Sequence, residues 1–231
     1  MKKNIKNLEY LRKEISLSKK NEPYNINKFI DLINKKNAKL KIKSKLINLK
    51  DVKNWYQEPS GNYFHKSGQF FSIQGVRTTY AYEREISSWD QPILNQLHGG
   101  ILAIISKITK DEGVKFLLRI KAEPGDVGQM KFCPTFQATQ SNINRAHGGK
   151  KPPYYDEIIN LKNSKLIYRT SHYEEGGRFW KKINKNCIYL VNNKFKNTEK
   201  DFYWLSLSQI KKLALKDNIV NPFVKTILFM I

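Results

Sequence analysis

The chain has 231 residues, 40% of them hydrophobic, and a formal net charge of +22. That is enough for one domain with a substantial core, and no apolar run is long enough to span a bilayer as a helix, so a membrane partner is not expected. The lysines are spread along the whole chain and interleaved with Asn and Ile, which is a bias of composition and not a recognition stripe, so nucleic acid is discounted as the main partner.

Residues 1–24 read as a basic N-terminal arm. Leu8, Leu11 and Ile15 suit a short amphipathic helix, but the charge and weak periodicity lead us to expect a mobile or loosely docked segment. No apolar stretch follows the Lys-rich start as in a signal peptide, so a cytoplasmic protein is expected. Residues 25–231 read as a single unit. Ile26, Phe29, Ile30 and Ile33 share one face of a helix reaching about Lys36. The alternation in KLKIKSKL (39–46) predicts a strand with one solvated face. LKDVKNW (49–55) is a short helix or turn that delivers Trp55. NYFHKSGQFFSIQGVR (62–77), broken by Ser67-Gly68, suggests a hairpin, and TTYAYEREISSW (78–89) reads as a further strand.

The runs 100–108 and 114–120 are apolar and joined by Lys110-Asp111-Glu112-Gly113, a strong hairpin signal that marks the central sheet. YYDEIINL (154–161) is a short helix, and KLIYRTSHYEE (165–175) and CIYLVNN (187–193) are strands. Ser206 or Ser208 caps a helix through Lys216, with Leu207, Ile210, Leu213 and Ala214 inward. Cys133 and Cys187 lie in strand-like runs without ligand spacing. No structural zinc site is expected, and two buried reduced thiols are favoured, with a single disulfide left open. The fold class expected is α+β, with a mixed, mainly antiparallel sheet and flanking helices.

Between Lys121 and Gly149 the chain reads KAEPGDVGQMKFCPTFQATQSNINRAHGG. Small polar side chains crowd this stretch, with ionisable groups at both ends. A segment that only filled a core would have to find a partner for each of them, whereas a loop that holds a polar ligand needs them. Lys121 and Glu123 are two apart on an extended strand end, so their side chains can point the same way.

The same stretch resembles the signature of the nucleotide-sugar 2,3-dehydratases: Ala122 to Gly125, Pro134 to Asn142, and His147-Gly148. Further matches are His65, Gly68, Phe70, Phe71, Gly75 and Val76, then Gln91-Pro92-Ile93 and Val220-Asn221-Pro222, so the resemblance covers about residues 25–231. Two positions depart from the family's usual pattern, Asp126 for Asn and Ile143 for an aromatic.

The resemblance implies a Nudix-like fold. The Nudix box is lacking, because HYEEGGRF (172–179) has adjacent carboxylates but no Arg-Glu at the right offset, so magnesium-dependent pyrophosphate hydrolysis is not expected. It also implies that the substrate is a dTDP-4-keto-6-deoxyhexose, an anion that suits the positive charge. Loss of water across carbons 2 and 3 needs a base, an acid and donors for an enolate oxygen, but no redox cofactor or metal in principle.

Lys121 is a base if its pKa is lowered, or a cation for the enolate. Glu123 is base or acid, and His147 is the third catalytic candidate, with His65 behind it. Each also has a plain structural reading as turn cap, solvated strand end or satisfied hairpin residue. For the nucleotide, Ala138, Thr139, Gln140, Ser141 and Asn142 offer amides, hydroxyls and backbone N–H groups, and Arg178 a bidentate clamp. Trp55 most simply packs in a core; the resemblance moves it to the nucleotide pocket, stacked on the thymine ring. Relatives usually hold two tandem copies of the unit and this chain holds one, so a homodimer is expected. A non-catalytic nucleotide-sugar-binding protein is the alternative reading of a single copy.

Overall fold

The computed structural model describes residues 2–80, 85–96, 98–126, 129–146 and 148–231. Helices α1 (Lys2–Ser18) and α2 (Asn27–Ala38) come first, followed by a 3-10 turn at Leu49–Asp51. Strands β1 (Trp55–Gln57), β2 (Tyr63–His65), β3 (Ser72–Thr79) and β4 (Ser88–Asn95) start a small sheet. Strands β5 (Gly100–Thr109), β6 (Gly113–Lys121), β7 (Lys131–Cys133) and β8 (Phe136–Thr139) enter a larger one. Two short helices follow, α3 (Gln140–Ile143) and α4 (Tyr155–Ile159). Then come β9 (Ser164–Tyr173), β10 (Phe179–Trp180), β11 (Ile183–Val191) and β12 (Phe202–Ser206), and finally α5 (Leu207–Ala214) and α6 (Pro222–Leu228).

The small sheet runs β1-β2-β3-β4-β10, and the large one β12-β6-β5-β11-β9 with β7 added to β6 and β8 to β5. β4 pairs with β10 in parallel, as does β5 with β11; the other strand pairs are antiparallel. The protein is α+β, mainly antiparallel, with flanking helices, as the sequence led us to expect. No helix among the described residues is long and apolar enough to cross a membrane.

Ile101–Ile105 of β5 and Phe116–Leu118 of β6 are apolar because both faces are covered there. Leu102, Ile104, Phe116 and Leu118 point to one side, against Leu11 of α1, Phe29 and Ile33 of α2, Ile210 and Leu213 of α5, and Val224 and Ile227 of α6. Ala103, Ile105 and Leu117 point to the other, with Phe136, Cys187 and Ile158 of α4. Both cysteines are free and buried. Ser206 caps α5 in a reciprocal capping box with Gln209.

Three expectations are corrected. The N-terminal arm is not loose: α1 buries Leu8 and Leu11, and Arg12 donates to the Met230 carbonyl at 2.6 and 2.9 Å. Glu22 then accepts from both the backbone N–H and the hydroxyl of Ser208, a carboxylate at the positive end of α5. KLKIKSKL is not a strand. Residues 40–48 are irregular, Leu46 is fully exposed, and the alternation finds no partner ladder. Nor is 78–89 one strand: its ends belong to two antiparallel strands, Thr79 of β3 facing Ser88 of β4, and residues 81–84 lie outside the described residues.

Candidate active site

The site grows from a fork in the large sheet. β8 pairs with the first part of β5, Gly100 to Ala103, and β6 with the second, Ile105 to Thr109. Two strands cannot share one edge without a gap between them, and Thr135 fills it. Its hydroxyl oxygen accepts from Ile105 N at 3.0 Å, and its hydroxyl donates to the Leu117 carbonyl, so backbone groups left over at the fork are paired. Pro134, with no N–H of its own, adds no donor there. Past the fork β6 leaves β5, takes β7 as a partner at Arg119–Lys121, and ends at Lys121.

The released end carries an ion pair. Lys121 Nζ lies 3.0 Å from Glu123 Oε1, and Gln137 Nε2 donates to the same oxygen at 3.0 Å. The two charged side chains are 24% and 33% exposed, sheltered but reachable. A second pair, Lys131–Asp126 at 2.7 Å, lies alongside. Between these charges sits the Cys133 thiol, which burial pushes up to about 12, so it is no nucleophile at neutral pH. Gln137 Oε1 is buried and has no partner among the described residues.

Beside the fork, a crevice of about 680 Å³ opens between the two sheets. Its walls include His65, Asn95, His98, Gln140, Ser141 and Asn144, and its volume lies in the range of small-molecule sites. Thr139 caps α3 by accepting from Asn142 N, and its hydroxyl meets that of Ser141 at 2.8 Å. Gln137 and Thr139 are alternate residues of β8, on one face and about 7 Å apart. Lys121, Glu123 and Gln137 do not line the crevice; Gln140 and Ser141, which follow Thr139, do. Asn95 donates to Gln74 at 2.9 Å, and its buried Oδ1 has no partner among the described residues. His65 Nδ1 accepts from Ser67 N at 3.2 Å, which leaves the ring proton on Nε2 when the imidazole is neutral.

The expected site residues are only partly united. Lys121 and Glu123 touch, and Gln140 and Ser141 line the crevice with His65. Ala138 is buried core, and Thr139 and Asn142 build the turn into α3. Trp55 stands behind His65, 5.5 Å from its ring and 4.8 Å from Phe71, and borders a separate hollow of about 70 Å³. Arg178 is exposed, pairs with Glu175 at 3.4 Å and does not line the crevice. His147 lies outside the described residues.

Sequence reasoning missed Gln137 as the partner of Glu123, although its position two residues from Thr139 on a strand places it on the same face. It also missed His98 and Asn95, and the second charged group, Glu174 with Lys182 at 3.4 Å. Asn184 donates to Glu174 and accepts from Gly100 N at 2.8 Å, which fixes the start of β5 onto β11.

A model of the family described as NDP-hexose 2,3-dehydratase matches residues 26–231. The chain is similar to the dTDP-4-dehydro-6-deoxy-alpha-D-glucopyranose 2,3-dehydratase of Saccharopolyspora spinosa, 36% identical over 167 residues, which cover 72% of this chain and 34% of that protein. Proteins of the same name match from Streptomyces violaceoruber, 34% identical over 78% of this chain and 40% of theirs, and from Amycolatopsis orientalis, 32% identical over 75% and 37%. The chain thus spans roughly a third to two-fifths of the length of these curated relatives. Among solved structures, the C. elegans Ap4A hydrolase superposes with a TM-score of 0.37 and 14% identity over 58% of this chain and 96% of that one, a likeness too loose to carry weight.

Proposed function

The chain belongs to the NDP-hexose 2,3-dehydratase family, and from that premise we propose that it is a hydro-lyase acting on a dTDP-4-keto-6-deoxyhexose. The product is the 3,4-diketo-2,6-dideoxy sugar nucleotide. The observation that carries the reading is the partly sheltered Lys121–Glu123 pair, held by Gln137 of β8, the strand that runs on into Gln140 and Ser141 in the crevice wall.

The 4-keto group acidifies the hydrogen on carbon 3. Glu123 takes that proton, and the electron pair of the broken bond forms an enolate whose charge the Lys121 ammonium meets. The bond from carbon 2 to its hydroxyl then breaks, and the hydroxyl leaves as water with the proton that Glu123 has taken up. The remaining enol at carbon 3 ketonises by losing its hydroxyl proton to solvent and gaining one at carbon 2. Carbon 3 is oxidised as carbon 2 is reduced, so no external electron acceptor enters the balance. Gln140 and Ser141 in the crevice are the groups we assign to the nucleotide sugar, together with Asn95, whose free acceptor suits a hydroxyl. Incubation with the 4-keto nucleotide sugar and mass spectrometry of the products tests this: loss of one water supports it, and binding without loss would leave a binding protein in its place.

We further infer a cytoplasmic homodimer. Two buried free thiols suit a reducing compartment, and relatives about twice the length of this chain suit a unit that works beside a second copy. Repulsion between two copies of charge +22 is screened beyond about 8 Å at physiological salt. Light scattering at micromolar concentration checks it, and a mass near 27.1 kDa would refute it.

A further inference from the structure

The far end of β5 carries charges that the dehydratase reading leaves unused. Lys107 of β5 stands directly opposite Lys115 of β6. Directly opposed residues in an antiparallel ladder lie on one face with Cβ atoms about 5 Å apart, and like charges there are destabilising. Solvent does little to relieve this pair, because Lys115 is 5% exposed and Lys107 is half-buried. Among the described residues its one ion-pair partner is Glu112, 3.4 Å from Lys115 Nζ and itself well exposed. Burial lowers the Lys107 pKa; Glu112 works against that, and the charge of Lys115 adds to it.

Lys107 borders a crevice of about 400 Å³ at the C-terminal ends of the parallel strands β5 and β11. Lys107, Lys110, Asn193, Phe195 and Trp204 contribute to its walls. Lys107 lies 4.4 Å from the Trp204 ring centre, and Phe195 meets that ring edge-on at 6.1 Å. Lys107 is seven residues along β5 from Gly100, roughly 23 Å at strand rise, so this crevice is separate from the one at the fork.

We propose that this crevice is a binding site for a phosphate group, carried by a nucleotide. The phosphate sits between Lys107 and Lys110, where it supplies the negative charge that the opposed lysines lack, and the base or sugar rests against Phe195. A dianion suits two ammonium groups better than a single carboxylate does, and an aromatic wall gives the ring of a ligand an apolar surface to cover. The site does not depend on the dehydratase reading, and its test does not read activity.

The experiment is thermal melting in phosphate-free buffer, with inorganic phosphate or thymidine monophosphate added. Wild type, Lys107→Met and the control Lys211→Met, altered at an exposed position of α5, are compared. Methionine keeps an apolar stem against Trp204 and removes the charge. We expect wild type to gain about 3 °C at ten times the dissociation constant. Lys107→Met melts about 2 °C above wild type without ligand, because the opposed charge is gone, and gains nothing from either ligand. Lys211→Met behaves as wild type. A Lys107-dependent gain from thymidine monophosphate larger than that from inorganic phosphate supports the nucleotide as occupant, and equal gains would reduce the site to one for free phosphate. The proposal is overturned if wild type shows no gain, if Lys107→Met keeps it, or if Lys107→Met melts below wild type without ligand.

Discussion

Two lysine–glutamate pairs sit at the same end of the large sheet. In each, a side-chain amide donates to the carboxylate: Gln137 to Glu123 and Asn184 to Glu174. They differ in burial and in what the amide does next. Lys182 and Glu174 are 9% and 12% exposed, and Asn184 is committed on its other side to Gly100 N. That pair is enclosed and ties β5 to β11. Lys121 and Glu123 are two to three times more open, at the end of a strand that has parted from its neighbour, and Gln137 Oε1 has no partner among the described residues. A lysine, a glutamate and an amide thus make a clamp where the sheet is closed and a partly open ion pair where it forks.

The comparison can be broken most forcefully at the enclosed pair. Lys182→Met leaves Glu174 buried without its cation, and we expect a loss of about 3–5 kcal/mol of stability by urea denaturation. Lys121→Ala should cost under about 1 kcal/mol, since its pair is partly solvated. Equal losses would show that the two pairs do the same work. Next in size is the catalytic effect. Glu123→Gln should lower kcat by about a hundredfold, some 2.7 kcal/mol, with the melting temperature little changed.

Third is the approach of β5 to β11 beside the clamp. A Cβ on Gly99 would lie 1.5 Å from the Ile183 carbonyl oxygen, so Gly99→Ala must push backbone apart, at about 1–3 kcal/mol in denaturant titration. A stability equal to wild type would mean that the strand start is not fixed there. The smallest expected effect is at Gln137. Gln137→Leu frees one oxygen of Glu123 and should lower kcat by about tenfold, with thymidine diphosphate affinity retained. Loss of affinity instead would move Gln137 from orienting Glu123 to holding the ligand.

What the sequence revealed was set by how local each signal is. The β5–β6 hairpin was legible because both strands carry apolar runs, Ile101–Ile105 and Phe116–Leu118, and Gly113 takes a positive φ of 69° in the turn. The start of α5 was legible in Ser206 and its capping partner three residues on. Lys121 and Glu123 were legible as a pair because two residues on an extended chain face the same way. The enclosed pair was not, because Glu174 and Lys182 meet only after β9 and β11 align, with Ile183 facing Tyr173. The arm was misjudged because its burial is decided by distant elements: Leu11 packs in the helix-side core, and Glu22 finds its donors 186 residues away. In 39–46 the pattern of a strand is present without a neighbour to pair with, and pattern alone does not make a ladder.

The central claim is that the pair at the fork removes the proton beside the ketone. Wild type and Glu123→Gln should be incubated with dTDP-4-keto-6-deoxyglucose in heavy water and the sugar nucleotide analysed by mass spectrometry. The account predicts that wild type releases one water and fixes solvent deuterium at carbon 2 of the product, while Glu123→Gln returns its substrate nearly unchanged over the same time. Product formed by Glu123→Gln at the wild-type rate would contradict it.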